Sequence, residues 1–232
     1  MTGKEEENYY AGKLSGVRLR RCYRIASSRV KQYLRSEIDF AASLLSEGEI
    51  ALELGCGYGR VCFGLALSGA KVIGIDSSME SLKLARRLAG GGRRCEYAGM
   101  DAFQLGFADS VFDAVICVQN GVCAIGADPE ALLRESLRVT RSGGKVIFST
   151  YSASFWPFRL EWFEAQSAEG LVGEIDRDKT AVGTIVCTDG LRLEMLKPED
   201  LIELGSVMGL ETDITEVDGS SVFGVWTAPG EE

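Results

Sequence analysis

No histidine occurs among the 232 residues. That absence excludes Ser-His and Cys-His nucleophile pairs, histidine general bases and histidine metal ligands, and leaves carboxylates, Tyr, Lys, amides or simple positioning for any catalysis. The seven cysteines form no C-x-x-C pair. With no such pair and no histidine they cannot make the Cys/His ligand patterns of a structural zinc site, so they read as buried free thiols and no metal is expected. No apolar run approaches the roughly 20 residues of a membrane span. The opening "MTGKEEENYY" lacks the basic segment and apolar stretch of a secretory signal, so a soluble protein in the cytoplasm is the expectation. Proline and glycine are limited to 4 and 28 residues while 46% of the chain is apolar, enough for one domain with a sizeable core.

Charge is unevenly spread. The net value is −9, yet residues 13–35 carry eight Lys/Arg and no acid. Leu19, Cys22, Tyr23, Ala26, Val30, Tyr33 and Leu34 recur there at spacings of three and four, which predicts a helix over 14–35 with a break near Ser27-Ser28. Its cations are a solvated face or a surface for RNA or an acidic protein partner. The acidic body argues against DNA.

After a second expected helix at 36–46, strand and helix patterns alternate. "EIALEL", "AKVIGID", "RRCEYAGM", "FDAVICVQN" and "KVIFSTY" read as strands, with helices at 59–69, 78–90 and 128–143 between them. This is the pattern of an α/β, doubly wound, mostly parallel Rossmann-like sheet with helices on both faces. Residues 152–183 are aromatic-rich and read as an irregular insert, followed by a hairpin signal at Asp189-Gly190, a helix opened by Pro198 and a closing antiparallel hairpin. One domain is expected over 1–232: an N-terminal helical cap at 1–47, a cofactor-binding core at 48–150, an acceptor-side region at 151–197, and a last helix and hairpin at 198–232.

"ALELGCGYGR" places Gly55, Gly57 and Gly59 at alternate positions between a strand and a helix. Bare backbone there lets a ligand lie against main-chain atoms at the carboxyl end of the sheet. The order G-x-G-x-G is neither the dinucleotide fingerprint nor a phosphate-cradling loop with its Lys. Asp76 closes the second strand, where a carboxylate can accept ribose hydroxyls. Asp101 follows the third, where it can accept an exocyclic amine while the Ala102 backbone reads a ring nitrogen. Glu53, just before the turn, can meet an ammonium. These groups ask for a ligand with a ribose, an amine-bearing base and a positive charge.

"ALELGCGYGR", "VIGIDSSMESLKLAR", "GMDAF" and "FDAVICVQN" resemble, in order and spacing, motifs of the class I S-adenosylmethionine-dependent methyltransferases, especially the small-molecule branch. The resemblance covers about residues 48–150, and the final hairpin fits that family's antiparallel addition. It implies the cofactor S-adenosylmethionine and the product S-adenosylhomocysteine. The cofactor residues it implies are Glu53, Gly55, Cys56, Gly57, Tyr58, Gly59, Asp76, Ser77, Met79, Asp101, Ala102 and Gln119. Gln119 and Asn120 after the fourth strand, with Tyr10 from a segment folded over the cofactor, would position the reactants. Transfer from a sulfonium is an in-line displacement, so missing histidine is tolerable. The implied acceptor is a small molecule, or a protein side chain, bound by a monomer or homodimer with no membrane partner. Two alternatives stay open: a non-catalytic cofactor-binding or interaction protein of the same fold, and an NAD-dependent reductase using Tyr9 and Lys13 in a Tyr-x-x-x-Lys spacing.

Overall fold

The computed structural model describes residues 9–90, 95–126 and 128–230. The acidic opening at 1–8 and the first residues of the third expected strand, 93–94, lie outside them. The strands are β1 Ile50–Leu54, β2 Lys71–Asp76, β3 Cys95–Gly99, β4 Phe112–Cys117, β5 Thr140–Tyr151, β6 Ile185–Val186, β7 Arg192–Leu193, β8 Asp213–Val217 and β9 Ser221–Thr227. Seven of them form one sheet in the order β3-β2-β1-β4-β5-β9-β8, and β6 pairs with β7 alone. The first five run parallel, whereas β9 is antiparallel to both β5 and β8. The order reverses between β1 and β4. At such a point the connecting segments leave in opposite directions and open a crevice beyond the carboxyl ends of the strands.

The helices are α1 Tyr9–Gly12, α2 Gly16–Arg24, α3 Ser28–Ser43, α4 Arg60–Leu65, α5 Met79–Ala89, α6 Gly121–Ile125, α7 Pro129–Val139, α8 Trp156–Ala168 and α9 Pro198–Val207. Their starts follow local chemistry. Ser27, Ser78 and Asp128 accept hydrogen bonds from the N–H groups of Val30, Ser81 and Ala131, satisfying donors that a helix start leaves free. Apolar residues of β1, β4 and β5 pack on one face of the sheet with Leu132, Leu133 and Trp226, and on the other with Leu65, Leu82 and Phe223. Two smaller clusters lie over the crevice, between α2, α3, α8 and the β6–β7 pair. Among the described residues, no helix is long and apolar enough to cross a membrane.

Three local expectations need correction. The helix expected over 14–35 breaks as anticipated, but its second part is α3, which runs on through Arg35 to Ser43, so the helix expected at 36–46 is its continuation. Nothing at that junction interrupts it, whereas Ser27 supplies a cap. The helix expected over 128–143 stops at Val139, and β5 begins at Thr140, with an irregular register opposite Phe112 and Ala114. The insert expected to be irregular contains α8, 13 residues long.

Candidate active site

A cavity of about 400 Å³ occupies the crevice, a volume within the roughly 300–1,000 Å³ of small-molecule sites. Its wall is drawn from the segments after β1, β2, β3 and β4, from the end of β5, and from α1, α2, α6 and α8.

At one end lies main chain. Gly55 and Gly57 stand on the wall, and Gly57 has a φ of +54° that side-chain-bearing residues rarely adopt. A Cβ there would come within 3.0 Å of Leu19 Cδ2, on α2. Gly59 answers a different need: it precedes α4, and a Cβ on it would meet the Tyr97 hydroxyl at 2.6 Å. Asp76 accepts from the Gly57 N–H at 2.8 Å and the Ser78 N–H at 2.7 Å, one on each carboxylate oxygen. Burial raises its carboxyl above the ordinary range, against the pull of these two donors. Each oxygen keeps a further lone pair. Asp101 accepts from the Phe103 N–H at 2.9 Å, and Ser77, Asp101 and Ala102 all line the wall.

Five of the sequence-derived candidates stand off the wall. Glu53 is buried beneath the turn with Oε2 unpartnered, and burial pushes its carboxyl up to about 7. Cys56 packs with Cys62 against Gly74, where a Cβ would meet Cys62 Sγ at 2.6 Å. Tyr58 sits edge-on to Tyr23, with ring centroids 5.6 Å apart. Met79 is half exposed, its sulfur facing Gly99, and Gly59 packs as described.

Gln119 and Asn120 both line the cavity and both adopt left-handed backbone, with φ of +60° and +57°. Such pairs cost energy and persist where surroundings hold them. The holding group is Glu37 of α3, fully buried, whose Oε1 accepts from the Gln119 N–H at 3.0 Å and from Ser149 Oγ at 2.6 Å. Burial raises the Glu37 carboxyl too. Gln119 Oε1 accepts from the Tyr23 hydroxyl at 2.9 Å and Arg60 Nη2 at 2.6 Å. Both ends of the Asn120 amide are engaged, accepting from Thr150 Oγ1 at 2.9 Å and donating to the Glu194 carbonyl at 2.7 Å.

Another part of the wall is aromatic, where Tyr10 stands alongside Tyr23, Tyr151, Trp162 and Phe163. Tyr23 had been read only as part of a core stripe; Tyr151, at the carboxyl end of β5, carried a positional signal in its strand end. Glu37 and Gln166 carried none.

Tyr9 and Lys13 are fastened instead to the β6–β7 turn. The Tyr9 hydroxyl donates to Asp189 Oδ2 at 2.5 Å, and Lys13 Nζ to the Asp189 carbonyl at 2.7 Å. Several cations of the basic segment likewise bind the N-terminal helices to the body: Arg18 donates to the Gly170 and Leu171 carbonyls, Arg21 pairs with Glu169, and Arg29 with Asp218. Arg20, Arg24, Lys31 and Arg35 remain exposed.

Comparison with known proteins agrees with this arrangement. Residues 52–148 match the family model described as "Methyltransferase domain". A demethylmenaquinone methyltransferase of Clavibacter sepedonicus is 37% identical over 105 residues, covering 45% of this chain and 42% of that protein. The chain spans about half the length of the curated relatives it matches. Among solved structures, the PH0226 protein of Pyrococcus horikoshii OT3 superposes with a TM-score of 0.69 at 18% identity, covering 96% of this chain and 99% of that one. The magnesium protoporphyrin IX methyltransferase of Synechocystis PCC 6803, solved with bound S-adenosylhomocysteine, gives 0.63 at 19% identity over 94% and 96% of the two chains. The seven-stranded sheet with its reversed hairpin, and the glycine turn that shares a cavity wall with two aspartates, are consistent with that likeness. Residues 52–148 thus resemble a methyltransferase domain, and the whole chain shares its fold with solved S-adenosylmethionine-dependent methyltransferases.

Proposed function

We propose that the chain transfers the methyl group of S-adenosylmethionine to a small organic acceptor, working as one methyltransferase domain over 1–232. The observation that carries this reading is the union of two unlike ends in one cavity: bare main chain with two carboxylates, and an aromatic chamber. When bound, the cofactor supplies a methyl group already activated on a sulfonium. The residues then need to bind, align and exclude water.

The donor set fits the group. Gly55 and Gly57 leave room for an amino-acid tail, Asp76 has free lone pairs for ribose hydroxyls, and Asp101 with Ala102 offers an acceptor and main chain to a purine edge. Glu53 lies beneath the turn, off the wall, and supports the main chain from below. Gln119, fixed by Glu37, Tyr23 and Arg60, stands between the two ends and orients the reactants, and Tyr10 covers them. Asn120 holds the β4 terminus in shape. The curated relatives include enzymes of demethylmenaquinone methylation and ubiquinone biosynthesis, which supports a small-molecule acceptor here. Tyr9 and Lys13, tied to Asp189 away from the cavity, give a reductase no support.

Calorimetric titration with S-adenosylhomocysteine, S-adenosylmethionine and NADH tests this. Both sulfur nucleosides bind and NADH does not, and Asp76→Ala weakens S-adenosylhomocysteine by about 1.5–3 kcal/mol, the worth of charge-assisted hydrogen bonds. No binding of either sulfur nucleoside at millimolar supply overturns the reading.

A further inference from the structure

The buried face of α8 is half polar. Arg159, Trp162, Phe163 and Gln166 are spaced to lie on one side of a helix, and all four are buried. Arg159 is 0% exposed. Its Nη1 donates to the Gly183 carbonyl at 3.1 Å and Nη2 to the Leu193 carbonyl at 3.3 Å, while Nε has no partner. The guanidinium lies 4.4 Å from the centroid of the Tyr151 ring. Tyr151 and Leu193 both belong to the cavity wall, so this cation stands directly behind it. Among the described residues no carboxylate forms an ion pair with it. The buried carboxylate of Glu37 accepts from Gln119 and Ser149 through Oε1, and it forms no ion pair with Arg159 among the described residues.

Gln166 repeats the theme. It is 2% exposed, lines the cavity, and its side-chain amide makes no hydrogen bond among the described residues. A buried charge without a counter-ion destabilises a fold, and an amide that faces an open cavity is free to meet a ligand. The other polar group on this face has its partner: Trp162 Nε1 donates to the Cys22 carbonyl at 2.9 Å. Of the carboxylates on the wall, Asp76 closes β2 and Asp101 follows β3, and neither pairs with Arg159 among the described residues. Here the titratable wall groups include tyrosines such as Tyr23 and Tyr151, which burial pushes away from ionisation at neutral pH. An acceptor that arrives already anionic needs no base, and it supplies the charge that Arg159 lacks.

We infer that the acceptor is an organic acid: a flat apolar body bearing an oxygen anion ionised by itself at neutral pH, with its charge drawn towards Arg159 and another polar edge on Gln166. This rests on the methyl-transfer reading. Arg159 acts as a specificity residue from behind the wall, through Tyr151 and Leu193.

The test uses the protein saturated with S-adenosylhomocysteine and titrated at neutral pH with 2-naphthoate and, separately, with 2-naphthamide, two probes of similar shape and different charge. The acid binds about tenfold more tightly or better. Arg159→Met abolishes that preference and Arg159→Lys keeps part of it, with circular dichroism reporting that each variant folds. Equal binding of the two probes by the unaltered protein, binding of neither at about 5 mM, or a preference that survives in Arg159→Met overturns the inference. The unaltered protein alone decides the matter if the variants do not fold. Failure of S-adenosylhomocysteine to bind in the first titration instead overturns the methyl-transfer reading.

Discussion

The glycine-and-aspartate part of the cavity wall and its aromatic part, which the proposed function gives to cofactor and acceptor, are made of different material. The first is mostly backbone: a glycine turn after β1, with aspartates at the ends of β2 and β3, all within one stretch of parallel sheet. The second is side chains brought together from α1, α2, β5, α8 and β7, segments far apart in the chain. A surface built from main-chain geometry tolerates little substitution, because no rotamer change can relieve a forbidden φ. One built from converging side chains can be altered piece by piece, so acceptor choice can vary while cofactor binding is kept.

That contrast orders the expected effects of substitution. Gly57→Val should have the largest, since a branched side chain faces both a left-handed φ and Leu19 Cδ2 at 3.0 Å from its Cβ. S-adenosylhomocysteine binding should fall at least about a hundredfold, roughly 2.7 kcal/mol, in titrations of a protein that still shows native circular dichroism. Normal binding would remove the turn from the site.

Glu53→Gln probes the same end through stability. The Glu53 carboxyl is raised from 4.5 to about 7 in the fold, so the folded state favours the protonated form. Stability from this group is complete below about pH 4.5 and is lost as the pH rises through about 7. Thermal melts from pH 5 to 8 should therefore show the variant gaining on the parent by on the order of 2–3 kcal/mol at the alkaline end. A constant difference across that range would contradict the burial of an uncompensated carboxyl.

Gln166→Leu should have the smallest effect on the fold. Replacing an amide that faces the cavity is expected to change stability by less than about 1 kcal/mol in denaturant melts. Loss of more than that would mean the amide has a structural partner and would blur the contrast between the two ends.

Legibility in the sequence followed the same division. Strand patterns ending in glycine or aspartate marked out Asp76, Asp101, Ala102, Gly55 and Gly57, and these residues line one cavity. The neighbours Cys56 and Tyr58 did not come with them, because alternate residues of the turn point into the protein rather than towards the ligand. The acceptor end was harder to read for a physical reason. Helix recognition relies on an apolar stripe, and α8 carries Arg159 and Gln166 at two of its buried positions, so its periodicity was masked. Glu37 was hidden in the same way, as an acid on the inner side of α3. Thr140 begins β5 without any breaker between it and α7, which is why the helix was extended too far.

Helix α2 is gripped from both sides, with Leu19 resting on Gly57 and the Cys22 carbonyl bound by Trp162. A rod wedged in this manner transmits displacement: when either neighbour shifts, the other feels it. The glycine turn and the aromatic chamber therefore cannot relax independently, and damage to the inner stripe of this one short helix would loosen both walls of the cavity together.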